Sequence, residues 1–323
     1  MTGTDPMSDS GLRMLVPSMT TRPEQDRCPG VLRPFSAGDG ALVRLRLPGG
    51  LVQSHVLLQL SYTASIFGSS VLQLTSRGNL QLRGLPDPLP QEFITRVVEL
   101  GLLPSSTHER VRNIVASPFD PTLQVLSAQL DRALCAEPLL AALPGRFLFV
   151  FADAQGHGLA ERYDVAYQAM APDFGWLWVA GYRRPVSADD AVTAMLGVAR
   201  YFLHNRTSSR CWQTRELPVS SDIFANMMKS TEPIVILPEP GPVAGQVVVG
   251  VPLGLLQQRQ TEALAATTAE VVVTPWRSVV LPESATLKEL IAVGLLTVAE
   301  SAHVSVHRTA RGLESIPRRS PVR

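Results

Sequence analysis

Cysteine is scarce: Cys28, Cys135 and Cys211 are the three present, odd in number, far apart and without a Cys-x-x-Cys pair. That excludes a disulfide framework and offers no zinc signature, so no metal site is read from the chain, and a reducing cytoplasm is the compartment that such usage fits. Lysine is scarcer still, with Lys229 and Lys288 alone, so nearly all positive charge is arginine. A dominant sign of charge is missing too. The 29 basic and 28 acidic side chains leave a formal net charge of +1, which argues against a nucleic-acid partner. Long apolar runs are absent: Val247 to Leu256 is broken by Gly250, Pro252 and Gly254, well short of the roughly 20 residues that span a membrane. No membrane partner is expected. Residues 1–25 lack the apolar segment of a secretory signal and read as a disordered lead.

What is present begins with an ordinary core composition, 45% apolar over 323 residues, enough for two or three domains. The chain is organised around Val71 to Leu85. Two alternating strands are predicted there, Val71 to Leu74 and Leu80 to Leu85, and the turn between them presents Arg77 on a Ser-Arg-Gly-Asn tip. If Gln81 and Arg83 share a face of the second strand, Arg77 and Arg83 point two planar forks into a common cleft suited to a ligand with several carboxylates. A surface hairpin with solvated arginines satisfies the same pattern.

Around this hairpin the pattern predicts a strand over Gly40 to Leu47, a helix over Val52 to Ser65, and a helix over Gln91 to Leu100 with Gly101 as its C-terminal cap. The same order recurs. Gln246 to Leu255 repeats Leu42 to Leu51, Val271 to Leu281 takes the place of Leu72 to Leu82, and Leu287 to Leu296 matches the helix that runs into Gly101. This is an internal duplication of a strand, helix, hairpin, helix unit, and two copies pack more naturally as a pseudo-twofold pair than as a solenoid. Between the copies, Leu126, Leu130 and Leu134 mark an amphipathic helix within Leu123 to Leu140. Strands are predicted over Arg146 to Ala152, Arg162 to Ala166 and Trp176 to Ala180. Ser187 with Asp190 forms a capping box for a helix to about His204, and Asp222 to Lys229 reads as helical. Residues 301–323 carry arginine, proline and serine without apolar periodicity and read as a disordered tail.

The string Leu74-Thr75-Ser76-Arg77-Gly78-Asn79-Leu80-Gln81-Leu82-Arg83-Gly84-Leu85, then Arg112-Asn113-Ile114 and Leu143-Pro144-Gly145-Arg146-Phe147, resembles the nitrite and sulfite reductase superfamily. More narrowly, Arg27-Cys28-Pro29-Gly30-Val31 and Thr274-Pro275-Trp276-Arg277 resemble the precorrin-3B synthases of aerobic cobalamin synthesis. The resemblance implies an α+β fold class: two ferredoxin-like half-domains, residues 26–105 and 238–300, flank a central nitrite/sulfite reductase-type α+β domain, residues 106–237. It implies that Arg77, Arg112 and Arg146 contact a tetrapyrrole, with Asn79, Gln81, Arg83 and Asn113 beside them. Leu148 stands where the superfamily has a second lysine, so sirohaem is not expected, whereas a tetrapyrrole substrate, precorrin-3A, held by guanidinium forks is.

Precorrin-3B synthases hydroxylate precorrin-3A with dioxygen, using a [4Fe-4S] cluster and a non-haem iron. Cluster ligation takes thiolates, and no cysteine follows Cys211, so the ligand cysteines are missing here. Three expectations follow: a gene truncated or frame-shifted near residue 298, a partner chain that supplies the second half, or a chain that binds a tetrapyrrole without catalysis. A sulfite or nitrite reductase-like oxidoreductase is the further alternative.

Other residues invite chemistry and have plain readings beside it. His157 between two glycines is a hairpin-tip residue or an iron ligand; Cys28 is a reactive thiol, a ligand or structural. Trp176, Trp178 and Trp276 line a macrocycle or fill the core. Asp153 and Asp164 form a carboxylate pair in the hairpin, or Asp153 serves its turn.

Overall fold

The computed structural model describes residues 26–297 except 232 and 234; the lead expected over residues 1–25 and the tail over 301–323 lie outside the described residues. In chain order the elements are β1 (Phe35–Ala37), β2 (Gly40–Leu45), β3 (Leu51–Gln53), α1 (Ser54–Phe67), β4 (Val71–Leu74), β5 (Leu80–Leu85) and α2 (Gln91–Glu99). Next come β6 (Ile114–Ala116), α3 (Pro121–Ala136), β7 (Phe149–Ala152), β8 (Val165–Ala171), β9 (Phe174–Val179), β10 (Tyr182–Ser187), α4 (Ala191–Asn205) and β11 (Met228–Lys229). The last group is β12 (Gly241–Val243), β13 (Gln246–Gly250), β14 (Leu255–Gln257), α5 (Gln258–Thr267), β15 (Glu270–Val273), β16 (Ser278–Pro282) and α6 (Lys288–Ala292).

The duplicated units form two five-stranded sheets, ordered β1-β2-β5-β4-β14 and β12-β13-β16-β15-β3. Each sheet therefore takes its last strand from the other copy. Leu51 and Val52 of β3 pair with Val272 and Val271, while Leu255 and Leu256 of β14 pair with Gln73 and Leu72. The expected helix over Val52 to Ser65 is corrected on this account: Leu51–Gln53 is drawn into the exchanged strand and the helix starts at Ser54. Glycines permit the close crossing. A Cβ on Gly50, whose φ is +77°, would lie 2.1 Å from the Val273 carbonyl oxygen. Alternation does the rest: Val43 and Leu45 of β2, Leu72 and Leu74 of β4, and Leu80 and Leu82 of β5 enter one core together with Val247, Val249, Val271 and Val273 of the second copy.

The central part is a six-stranded sheet, β11-β10-β9-β8-β7-β6, in which β6, β7 and β8 run parallel and the rest antiparallel. One face packs on α3 and α4 through Leu123, Leu130, Met195 and Phe202. Asp120 caps α3 by accepting the Thr122 N–H at 2.9 Å, and Pro121 occupies the first turn, where a missing N–H costs nothing. α3 stops at Ala136, short of the expected Leu140, because Pro138 starts a separate 3-10 turn. Ser187 and Asp190 are hydrogen-bonded, but they form the turn before α4 and not its first turn. Asp222 to Lys229 is not helical throughout. It holds a 3-10 turn, Asp222–Phe224, and then β11 at the sheet edge.

Candidate functional site

The arginine hairpin forms as its alternation predicts, β4 and β5 with Thr75 to Asn79 between them. The Asn79 carbonyl accepts the Thr75 N–H at 2.9 Å, and the Thr75 hydroxyl oxygen accepts the Asn79 N–H at 3.2 Å. The second copy repeats this turn with Thr274 and Ser278, at 2.9 and 3.3 Å. Trp276 thus stands at the place of Arg77, and Arg277 at the place of Gly78. Both of the latter are left-handed, Gly78 at φ +64° and Arg277 at φ +60°. A side chain in this region is strained by an amount of order 1 kcal/mol or more, and such strain clusters where a side chain must be aimed. The Arg277 stem lies against Gly254, where a Cβ would meet its Cδ at 2.8 Å.

These two turns, β2, the segment just before β7 and the loop between β7 and β8 enclose a cleft of about 820 Å³ between the duplicated units and the central sheet. Five guanidinium side chains line it, those of Arg44, Arg77, Arg146, Arg162 and Arg277, together with Cys28, Trp276, Leu148 and one carboxylate, Glu161. Arg77 donates to the Arg146 carbonyl at 2.7 Å, which ties the hairpin tip to the central part. Burial lowers its pKa, and its charge faces Cys28, Asp164, Arg146 and Glu161. Arg146 also lies over the Trp212 ring, 5.5 Å from its centroid. Arg44 is held by Gln81, which accepts at 2.9 Å and donates to Gln73 at 2.8 Å, a row that crosses β2, β5 and β4.

Beneath the cleft lies Arg46, 2% exposed. Its guanidinium donates to the carbonyls of Pro29 and Arg44, both at 2.8 Å, to Arg110 O at 3.3 Å and to Asn113 Oδ1 at 3.1 Å. Burial pushes its pKa down to about 9. It stays charged at neutral pH, so it adds a sixth cation to the field of the cleft. Asp164, fully buried, has its pKa pushed up to about 6 by burial, against the N–H groups of Thr214 and Leu148 that favour its charged form.

Other residues singled out from the sequence lie elsewhere. The common cleft expected for Arg77 and Arg83 is not formed: Arg83 makes a two-pronged pair with Asp39, both bonds 3.0 Å, because its strand position turns it toward β1 and its loop. Arg112, expected at a tetrapyrrole, is spent in a buried pair with Asp131 of α3, both bonds 2.7 Å. Asn79 is fully buried, accepts the Leu47 N–H at 3.0 Å and donates to Asn113. Asn113 in turn donates to the carbonyls of Arg110 and Gly145, so both asparagines brace the walls from behind. Sequence reasoning missed Arg44, Arg162 and Arg277 as lining residues. The signal that could have found Arg44 is the Leu-Val-Arg-Leu-Arg-Leu alternation of residues 42–47, which puts Arg44 and Arg46 on the face opposite Val43 and Leu45.

Asp153 and Asp164 do not pair. Asp153 accepts from Ser117 at 2.5 Å and from His157 Nδ1 at 2.8 Å; burial pushes its pKa up, and these hydrogen bonds bring it net below the usual carboxylate range. His157 packs edge-on to Phe119 and Trp276. Trp176 and Trp178 are stacked by Arg183, 4.2 and 5.2 Å from their centroids, rather than lining the cleft. A second cleft of about 950 Å³ opens beside the N-terminus of α3. It is lined by apolar side chains with Asp120, Asp153 and Asp189, and no described lysine or arginine lines it.

Among the described residues no three His, Cys, Asp or Glu side chains gather as a metal site. The three thiols are apart: Cys28 in the cleft, Cys135 on α3 and Cys211 buried after α4, where burial pushes its pKa up to about 11. This donor set does not fit a four-thiolate cluster, which needs deprotonated sulfurs at one point. The guanidiniums gathered in the cleft suit anionic groups such as carboxylates. No described helix is long and apolar enough to cross a membrane.

A precorrin-3B synthase of Sinorhizobium sp is 41% identical over 58 residues, 18% of this chain and 13% of the relative. A ferredoxin–nitrite reductase of Synechococcus elongatus is 31% identical over 167 residues, 46% of this chain and 32% of the relative. The chain thus spans under a third of the length of either. In three dimensions the Mycobacterium tuberculosis NirA protein superposes with a TM-score of 0.56 at 18% identity, covering 85% of this chain and 64% of that one. Residues 34–89, which carry the arginine hairpin, match the nitrite/sulfite reductase ferredoxin-like half domain, and the described residues have an α+β fold like that of NirA.

Proposed function

We propose that the chain is a precorrin-3B synthase-like protein that binds a polycarboxylate tetrapyrrole, precorrin-3A, in the arginine cleft. The observation that carries this reading is the set of five guanidinium side chains around about 820 Å³, opposed by a single lining carboxylate. Forked donors suit carboxylates spread around the rim of a flat ligand, and a partly desolvated cleft strengthens each pair. The short stretch of likeness to a precorrin-3B synthase supports the choice of ligand. The chain's own residues bind and orient: Arg77 and Arg146 hold one edge, Arg44 and Arg277 the others, and Leu148 with Trp276 supplies apolar surface. The described thiols do not fit a cluster, and tetrapyrrole binding is the function the geometry supports best.

The test uses uroporphyrin, an octacarboxylate tetrapyrrole, titrated into the full chain and followed by its absorption band. Saturable binding that weakens with salt is expected. Arg77→Ala is expected to weaken it by about 1.5 to 3 kcal/mol, the range for hydrogen bonds to charged groups. Unchanged affinity in that variant, or no binding by the full chain, overturns the reading.

A further inference from the structure

Cys28 has no part in carboxylate binding, yet the fold takes trouble over where it sits. The Arg46 guanidinium holds the Pro29 carbonyl at 2.8 Å, and Glu109 accepts the N–H groups of Val31 and Leu32 at 2.9 and 3.1 Å. Asp26 accepts the N–H of Cys28 itself at 3.0 Å. Clamped in this way, the segment presents the thiol to the cleft wall beside Arg77 and Arg146. Its electrostatic neighbours are Arg46, Arg77 and Arg146 on one side and Asp26 on the other. A second feature of the same wall asks for a ligand. Trp276 is 1% exposed, lines the cleft, and its indole N–H has no hydrogen-bond partner among the described residues. A buried donor left so costs free energy that an incoming acceptor recovers.

We infer that Cys28 is a modification site selective for small disulfides that carry carboxylates, whose anionic groups seat on Arg77 and Arg146 while the thiol exchanges. The step is thiol–disulfide exchange. The Cys28 sulfur, as thiolate, forms a bond to one sulfur of the disulfide; the disulfide bond breaks, and the departing thiolate takes up the proton that Cys28 gave. No other oxidant is consumed. The guanidiniums act twice, attracting the anionic reagent and offsetting the charge on the attacking sulfur. Burial and Asp26 work against that charge by raising the thiol pKa. Neutral disulfides therefore gain no attraction from the guanidiniums and react slowly at a thiol that burial keeps protonated. Once made, the adduct occupies the arginine cleft and excludes the tetrapyrrole, which turns the cleft off under oxidising conditions. The inference rests on the reading of the cleft as an anion site.

The experiment compares a dianionic reagent, dithiobis(nitrobenzoate), with neutral dithiodipyridine on the reduced full chain, with labelling at each cysteine read by peptide mass spectrometry. The ratio of the two rates at Cys28 is expected to exceed the ratio for free N-acetylcysteine by about tenfold, since charge pairing in a partly desolvated cleft easily supplies that factor. Arg77→Ala and Arg146→Ala should each bring the ratio toward the free-thiol value by slowing the anionic reagent much more than the neutral one, and Arg77→Lys, which keeps the charge, should retain most of it. A free-thiol ratio at Cys28, no labelling by either reagent, or arginine variants that slow both reagents equally would overturn the inference. The uroporphyrin titration is read separately. Binding of uroporphyrin without anion preference at Cys28 sinks this inference alone, and the reverse result sinks the tetrapyrrole reading alone.

Discussion

Arg77 and Arg112 look alike in the sequence, each beside residues that suit a ligand site, and the structure gives them opposite surroundings. Arg112 has its charge answered by Asp131 at 2.7 Å on both prongs; Arg77 donates to a carbonyl and faces a cleft. Arg112→Ala is therefore expected to destabilise the fold by roughly 3 kcal/mol, because it strands a largely buried carboxylate. Uroporphyrin affinity of the folded fraction should stay within about twofold of the parent, since no cleft contact is lost. Denaturant unfolding paired with the titration reads both quantities. Little of this difference was legible in the sequence. The alternation of residues 71–85 gave the hairpin and its tip, but whether an arginine meets a carboxylate depends on chain partners 19 and 44 residues away. Arg277 was hidden for another reason: an arginine does not announce a positive φ, and its place opposite Gly78 in the repeat is the one hint of it.

At the scale of elements, Asp164 ties the start of β8 to Leu148 before β7 and to Thr214 beyond α4. Its pKa, raised by burial to about 6 from an ordinary 3.8, fixes the sign of its pH effect. Between pH 4 and 6 the folded chain holds a proton that the unfolded chain has released, so this group's contribution falls as pH rises through that window and levels off above it. The whole fall is on the order of 3 kcal/mol at most, since each pH unit across the window costs about 1.4 kcal/mol. Asp164→Asn, which cannot ionise, is expected to flatten that part of the stability curve measured by urea unfolding at stepped pH. An unchanged slope would show that some other group governs it. Periodicity foretold α2, α3 and α4 well, since each buries one stripe. It mistook the Met228–Lys229 edge strand for helix because two residues carry no period, and no alternation marked β3, only three residues long.

For the whole molecule, the sequence disclosed a duplication and a pseudo-twofold pair, whereas the exchange of β3 and β14 needed the fold to reveal it. Repetition says that two units are alike, and it is silent on which unit completes which sheet. The two halves share one hydrophobic core, from Val43 and Leu72 to Val249 and Val271. The paired turns also bring Arg77 and Arg277 to one cleft from opposite copies. Neither half can be lifted away with its sheet whole. The exchange also describes what a single unit would be by itself. A fragment of residues 26–105 offers β3 outward and leaves β4 without the neighbour that β14 provides. Two such fragments satisfy each other, so the isolated piece is expected to self-associate as a symmetric dimer, its stability rising with concentration in sedimentation and thermal unfolding. Joining two units in one polypeptide replaces that encounter with a tethered one at high effective concentration. It also frees the second turn to diverge, so that tryptophan and a left-handed arginine stand where symmetry would otherwise demand a second Arg-Gly.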